Sequence, residues 1–284
     1  MADELKKKVE TFWNENLCGK HFINASYPSK EFFKQYSKFR YRKEHHLDHL
    51  IDWQSAKGKD FLEIGVGIGT DGARWAQYSK SYIGIDLTDE AVIATTLYFK
   101  LLGVKGNILK ADTEMMPFRK DKFDIVYSHG VLHHTPNIEA ALKEIYRILK
   151  SNGKLILMLY TKDSFNYWIR IQFYFRIKLL ILFLIKRVGF EISGLWEKQI
   201  KNLEKTGWKY FSWNNWYHHC TDGPDCEIAN IYHRSEIINM LKKAGFSIEM
   251  IRKAHFPIGR KYQKLERFLG KYIGFYQFTW GVKE

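Results

Sequence analysis

Cysteine is scarce in this chain: Cys18, Cys220 and Cys226 are its three thiols in 284 residues. Three cysteines imply no disulfide framework, and a reducing compartment is the default expectation. Long apolar runs are lacking too. The stretch Leu179–Ile185 is uninterrupted, yet it falls far short of the ~20 residues that a bilayer requires. The chain starts Met-Ala-Asp-Glu-Leu-Lys-Lys-Lys, a polar helical pattern without the apolar core of a signal peptide. The expected location is therefore cytoplasmic, at most peripheral to the inner face of a membrane. No internal repeat or low-complexity tract is visible.

Aromatic residues, by contrast, are plentiful at 16% of the chain, while the charged share of 27% is ordinary. The length suffices for one large domain, or for one domain with a substantial insertion. The formal net charge of +14 is unevenly spread: residues 1–57 carry +3, residues 58–163 carry +1 and residues 164–284 carry +10. A basic nucleic-acid binder would be basic throughout, and no DNA partner is expected. The local excess suits an acidic substrate, a lipid headgroup or RNA, and equally a plain solvated basic face.

Residues 3–17 and 31–53 read as helices, with Phe12, Trp13, Phe32, Phe33, Tyr36 and Phe39 marking their buried sides. From Lys59 the pattern changes to strands alternating with helices. Strands are expected at 60–64, 81–86, 107–110, 123–128 and 154–160. Helices are expected from 71, over 88–101 with Thr88 or Asp89 as cap, and over 138–149. Such alternation implies a parallel sheet covered on both faces. After Tyr160 the rhythm stops for roughly seventy residues, a length that is usually functional or separately structured. It resumes with a helix at 233–244 and a strand at 247–252. A second interruption spans 253–274, before a closing strand at 275–282.

The most informative segment is Phe61–Thr70, which reads Phe-Leu-Glu-Ile-Gly-Val-Gly-Ile-Gly-Thr. A buried strand ends near Ile64, and Gly65, Gly67 and Gly69 then turn the backbone sharply toward a helix. Glycine is used where a Cβ would block a positive φ or a close approach. Gly67, Gly69 and Gly72 also satisfy the dinucleotide spacing G-x-G-x-x-G, and Asp86 lies about 20 residues on, where a ribose-binding acid is expected. The glycines alone leave a nicotinamide dinucleotide and other nucleotide-like cofactors open.

Three further segments narrow the choice: Tyr82–Asp86, Lys110–Phe118 and Phe123–Pro136, the last ending Gly-Val-Leu-His-His-Thr-Pro. With Leu62–Gly69 they make the chain resemble the class I S-adenosylmethionine-dependent methyltransferases, in particular the large group with that His-His signature. The likeness is close over 59–162 and looser over 233–254 and the final strand. It implies an α/β fold: a doubly wound, seven-stranded, mostly parallel sheet, Rossmann-like, whose last strand runs antiparallel. The implied organisation is an N-terminal helical cap (1–57), an S-adenosylmethionine-binding core (58–162), a substrate-cap insertion (163–232) and the C-terminal part of the core (233–284).

The resemblance also implies site residues. Asp86 would accept from both ribose hydroxyls, with Leu87 beside it, and Asp112 from the adenine amine, with the Thr113 main-chain N–H facing a ring nitrogen. Gly65, Gly67 and Gly69 would admit the methionine portion, Glu63 would orient their loop, and Ser128 and His129 would line the tail through backbone atoms. Methyl transfer is an in-line displacement on an activated sulfonium, so alignment within about 3–3.5 Å supplies much of the rate. A general base matters only for a hydroxyl or a protonated amine, and His129, His133 and His134 are its candidates. Tyr41 and Arg42 in the N-terminal helices, and His218, His219 and Asp222 in the insertion, are expected to line the substrate side, Arg42 being a candidate for the cofactor carboxylate.

The insertion should select the acceptor. Residues 165–190 are dense in aromatic and aliphatic side chains punctuated by Arg and Lys. Both a cap over the active site and a helix lying in a membrane interface fit this pattern, and the two are compatible. The segment 214–226 holds two His, two Cys and two Asp, but its spacing is not that of a structural zinc site, and no metal is expected. The Asn-Pro-Pro-Tyr type of motif linked to methylation of planar nitrogens is absent, with Ser128–Val131 in its place. The expected activity is methyl transfer to oxygen, or next to nitrogen, of a small-molecule, glycan or lipid-linked acceptor. The alternatives are an RNA methyltransferase using the basic C-terminal surface, and a non-catalytic partner protein that keeps the fold. No prediction is made of oligomeric state.

Overall fold

The computed structural model describes residues 2–213, 216–258 and 262–284. Three helices come first: α1 (Ala2–Glu15), α2 (Lys30–Lys43) and the short α3 (Leu47–Leu50). The central part alternates β1 (Asp60–Ile64), α4 (Thr70–Tyr78), β2 (Ser81–Asp86), α5 (Asp89–Leu102), β3 (Asn107–Lys110), β4 (Phe123–His129), α6 (Ile138–Ile148) and β5 (Leu149–Tyr160). A helical excursion holds a π-helical segment (Asn166–Phe175), α7 (Arg176–Arg187), α8 (Leu195–Thr206) and α9 (His218–Thr221). The chain closes with α10 (Arg234–Lys243), β6 (Phe246–Ala254), α11 (Gln263–Ile273) and β7 (Tyr276–Lys283).

The seven strands pair in the order β3-β2-β1-β4-β5-β7-β6. The first five are parallel, and β7 runs antiparallel between β5 and β6. Strand order reverses between β1 and β4, so a crevice opens at their C-terminal ends, where open α/β sheets bind ligands. The two faces of the sheet are read off alternating residues. Phe61, Ile125, Tyr127, Ile156 and Met158 face a core shared with α2, α4 and the insertion. Leu62, Ile64, Val126, Leu155 and Leu157 face a second core built with α6 and α10. Trp75 of α4 is fully buried and stacks on Phe61 at 4.5 Å.

Local chemistry sets the boundaries. Ser29 caps α2 by accepting from Phe32 N at 3.1 Å, and Asn137 caps α6 by accepting from Ala140 N at 3.0 Å. Thr88 caps α5, as its residue type predicts. Three expectations are corrected. The single helix over 31–53 breaks at Glu44, whose buried carboxylate turns back to Arg40 at 3.9 Å and to His46 at 3.4 Å. Ser-Asn-Gly at 151–153 is an irregularity inside β5 rather than a loop before it, because the fully buried Leu149 already pairs with Phe123. The interruption at 253–274 contains α11.

The excursion after β5 leaves and returns at one place. Thr161 and Tyr232 form a parallel bridge, and Lys162 N donates to Tyr232 O at 2.8 Å.

Candidate active site

The three glycines after β1 all have left-handed φ: 79° at Gly65, 54° at Gly67 and 81° at Gly69. They answer to different neighbours. A Cβ on Gly65 would lie 2.1 Å from Val131 Cγ2, and one on Gly69 would lie 2.7 Å from Thr95 Cγ2. Only at Gly67 would a Cβ meet nothing within 4 Å, because that residue borders a cavity. Gly65 and Gly69 therefore serve close packing, and Gly67 keeps space open for a ligand. Gly72 is fixed by the pair behind it: its Cβ would strike the Tyr82 hydroxyl and Glu63 Oε2, where Tyr82 donates to Glu63. Burial and the nearby Asp71 carboxylate push the Glu63 carboxyl well above its ordinary range.

The cavity lies over the C-terminal ends of β1, β2 and β4, and segments far apart in sequence converge on it. Asp86 ends β2 with Oδ1 accepting from Thr88 N at 3.0 Å and Thr88 Oγ1 at 2.8 Å, while Oδ2 accepts from Gly67 N at 3.2 Å. A carboxylate offers about four acceptor sites, so capacity remains toward the cavity, which Leu87 also lines. Burial raises the Asp86 carboxyl above its usual value. Asp112, after β3, accepts from Glu114 N at 2.9 Å, and its Oδ2 accepts from Lys6 Nζ at 2.5 Å. Lys6 comes from α1 and also reaches Glu114 at 2.8 Å. Val9 and Trp13 of α1, with Leu17 just beyond it, line the same cavity, as does Thr113.

At the other end stands a buried charge network. Arg40 donates to Asp71 Oδ2 at 2.6 Å and to Oδ1 at 3.3 Å, and Tyr127 donates to the same carboxylate at 3.2 Å. Burial alone would raise the Asp71 carboxyl, but the Arg40 guanidinium holds it below its usual value. Arg40 Nη2 also lies 3.1 Å from His129 Nδ1. A guanidinium cannot accept, so Nδ1 holds the lone pair and the ring hydrogen sits on Nε2. Burial, then the Arg40 charge, depress His129 to about 3.

Residues 62–157 match the family model described as a methyltransferase domain. Over 98 residues the chain is 32% identical to the uncharacterized methyltransferase YcgJ of Bacillus subtilis, covering 34% of this chain and 39% of that protein. It is 34% identical over 112 residues to the cycloartenol-C-24-methyltransferase of Arabidopsis thaliana, covering 38% and 33%. The chain spans about a third of the length of the curated relatives it matches. The crystal structure of YcgJ superposes with a TM-score of 0.54 at 18% identity, covering 85% of this chain and 99% of that one. A Methanosarcina mazei S-adenosylmethionine-dependent methyltransferase gives 0.53 at 17% identity, covering 84% and 97%. The fold is that of the class I methyltransferases.

Against this geometry the expected site residues divide. Glu63, Gly65, Gly67, Asp86, Leu87, Asp112, Thr113, His129 and His134 all line the cavity, whereas Gly69 does not. Ser128 is also outside the lining, with its side chain fully buried in β4, and its expected contact is through the backbone. His133 is fully buried too, packed against the Tyr160 ring at 4.0 Å between centroids and outside the cavity lining. His129 reaches the cavity, but its one lone pair already accepts from Arg40, which removes it as a base. His134 keeps the right form. Its Nδ1 donates to Ile228 O at 2.5 Å, which leaves a lone pair on Nε2, 3.7 Å from Asp222 Oδ2. Tyr160 donates to the other Asp222 oxygen at 3.3 Å.

The remaining substrate-side candidates lie outside the lining of this cavity. Arg42 borders a separate hollow with His45 and His255, whereas Arg40, two residues earlier on α2, reaches the cavity. Tyr41 turns away to donate to Thr70 O at 3.0 Å. His218 accepts from Ala229 N, and His219 lies against Pro224 O and stacks on Tyr210, so both serve the insertion's own packing. Asn214 and Asn215 lie outside the described residues. Arg40, Asp71, Lys6 and Trp13 are cavity residues that the sequence reading did not single out. The signal for Arg40 was present in the acidic partner Glu44 four residues on.

Proposed function

We propose that this protein transfers a methyl group from S-adenosylmethionine to an oxygen, or next to a nitrogen, of a small-molecule, glycan or lipid-linked acceptor. The observation that carries the reading is the convergence of Gly67, Asp86 and Asp112, from three separate strand ends, on one cavity. The cofactor fits the donors present. Asp86 has unused acceptor capacity for a ribose diol, Asp112 can take an adenine amine when Lys6 rests on Glu114, and Gly67 borders the cavity where a Cβ would meet no other atom within 4 Å. When bound, the cofactor supplies a methyl group on a sulfonium, already activated for displacement.

The protein's part is binding, orientation and, for a hydroxyl acceptor, one proton. Arg40, fixed by Asp71, brings a buried cation suited to an anionic group of the cofactor tail. His134 Nε2 takes the acceptor proton, and Asp222 from the insertion stabilises the resulting imidazolium. Val9, Trp13, Leu17, Ile68 and Val131 give the cavity an apolar lining, which excludes water and suits an acceptor with an apolar part. Relatives named as sterol and cycloartenol methyltransferases match over 115 and 112 residues and support that choice. Incubation with methyl-labelled S-adenosylmethionine and fractionated lipid, aqueous and RNA extracts tests it. Label in the lipid or small-molecule fraction is expected, and label confined to RNA contradicts it. No transfer with intact cofactor binding in every fraction would favour the non-catalytic alternative.

A further inference from the structure

Residues 164–190 contain five Arg and Lys and no acidic residue. The π-helical segment of ten residues runs directly into the twelve of α7, forming one helical rod. One side packs on the protein through Ile171, Gln172 and Leu179. The other leaves Phe173, Ile177, Ile181, Leu184 and Val188 exposed, at 51–73% of full accessibility. Their spacing of three and four residues places them on a single stripe. Exposed Trp168, which contacts the exposed Trp213 at 6.1 Å, stands at its N-terminal end. Contiguous apolar stripes of this kind mark a surface that meets something.

We infer that this stripe docks the protein on an anionic lipid surface. Charge decides the occupant. Among the described residues Arg170, Lys178 and Arg187 have no carboxylate partner; they lie over the rings of Phe175, Trp196 and Phe183. Large apolar residues with cations on the flanks and tryptophan at one end are what a headgroup boundary accommodates. A second copy of the chain fits less well, because antiparallel pairing about a two-fold axis would set Arg170 against Lys186 and Arg187 with no acid between. The rod cannot cross the bilayer: no described helix is long and apolar enough. The insertion that carries the rod also supplies Asp222, so docking would hold the cavity next to membrane-borne acceptors.

The test is flotation of the full chain on vesicles, read without turnover and so independent of the methyl-transfer reading. Binding is expected on phosphatidylcholine containing about one-third phosphatidylserine, with little on phosphatidylcholine alone and less as salt rises. Ile177→Glu/Ile181→Glu should abolish it. Arg170→Glu/Arg187→Glu should weaken it by at least ~25-fold, about fivefold for each basic charge lost. If circular dichroism shows that the first variant has lost helix, the second decides. Absence of wild-type binding to anionic vesicles, or unchanged binding by the folded variants, overturns the inference. So does a wild-type dimer in light scattering that the Ile177/Ile181 variant converts to monomer, since a second copy would then cover the stripe.

Discussion

Single side chains in this site are governed by who accepts and who donates. His134 is the cavity-lining histidine that keeps a free lone pair, because Ile228 O takes the Nδ1 hydrogen. Replacing it by alanine should lower kcat for a hydroxyl acceptor about 10²-fold, with S-adenosylmethionine affinity unchanged; steady-state kinetics beside calorimetry separate the two. Arg40 has a different importance, since it compensates two buried carboxylates, Asp71 and Glu44. Arg40→Leu would strand both charges and should destabilise the fold by about 3–5 kcal/mol in urea denaturation. Sequence patterns named the acids of the site more readily than its cations. Asp86 and Asp112 follow strand ends, a local signal. Lys6 and Arg40 reach the cavity only because helices remote in sequence lie across it. His133 and His134 are adjacent and look alike in sequence, and burial against Tyr160 separates their roles.

At the level of elements, the parallel strands were legible because β4 and β5 read as apolar runs, as strands buried on both faces do. The break after α2 was not, for it depends on Glu44 turning inward to a partner. α11 was legible by periodicity, since Leu265, Phe268, Leu269, Tyr272 and Ile273 recur at helical spacing, but that face is largely exposed and the residues it buries are Glu266 and Gly270. α1 is the element whose role the structure sharpens most. It crosses the end of β3 and the start of α5 through Lys6 to Asp112, Glu10 to Lys110 and Asn14 to the Glu90 N–H. Removing residues 1–18 deletes Lys6, Val9, Trp13 and Leu17 from the cavity wall. The truncated chain should keep its sheet by circular dichroism and bind S-adenosylmethionine about tenfold more weakly or worse.

Across the whole molecule, the buried histidines tie stability to pH. His46, His129, His133 and His255 are all shifted below the ordinary imidazole value, burial being the first cause in each, and His129 falls to about 3. The unfolded chain takes up these protons near pH 6.5, while the folded state resists them. Their contribution is therefore intact above about pH 6.5 and is lost as pH falls toward the folded values, at about 1 kcal/mol per pH unit for each. Thermal denaturation should show Tm falling by roughly 10 °C between pH 7 and 5.5; a flat profile there would show these rings to be solvated.

The central claim is that the cavity over β1, β2 and β4 binds S-adenosylmethionine through Asp86. Calorimetric titration of the wild-type chain and of Asp86→Ala tests it most directly, with a nicotinamide dinucleotide as the competing ligand. The wild type should bind S-adenosylmethionine at one site, and Asp86→Ala should weaken that binding about 10- to 100-fold, as loss of charge-assisted hydrogen bonds does. Binding of the dinucleotide in its place, or unchanged affinity in Asp86→Ala, would contradict it.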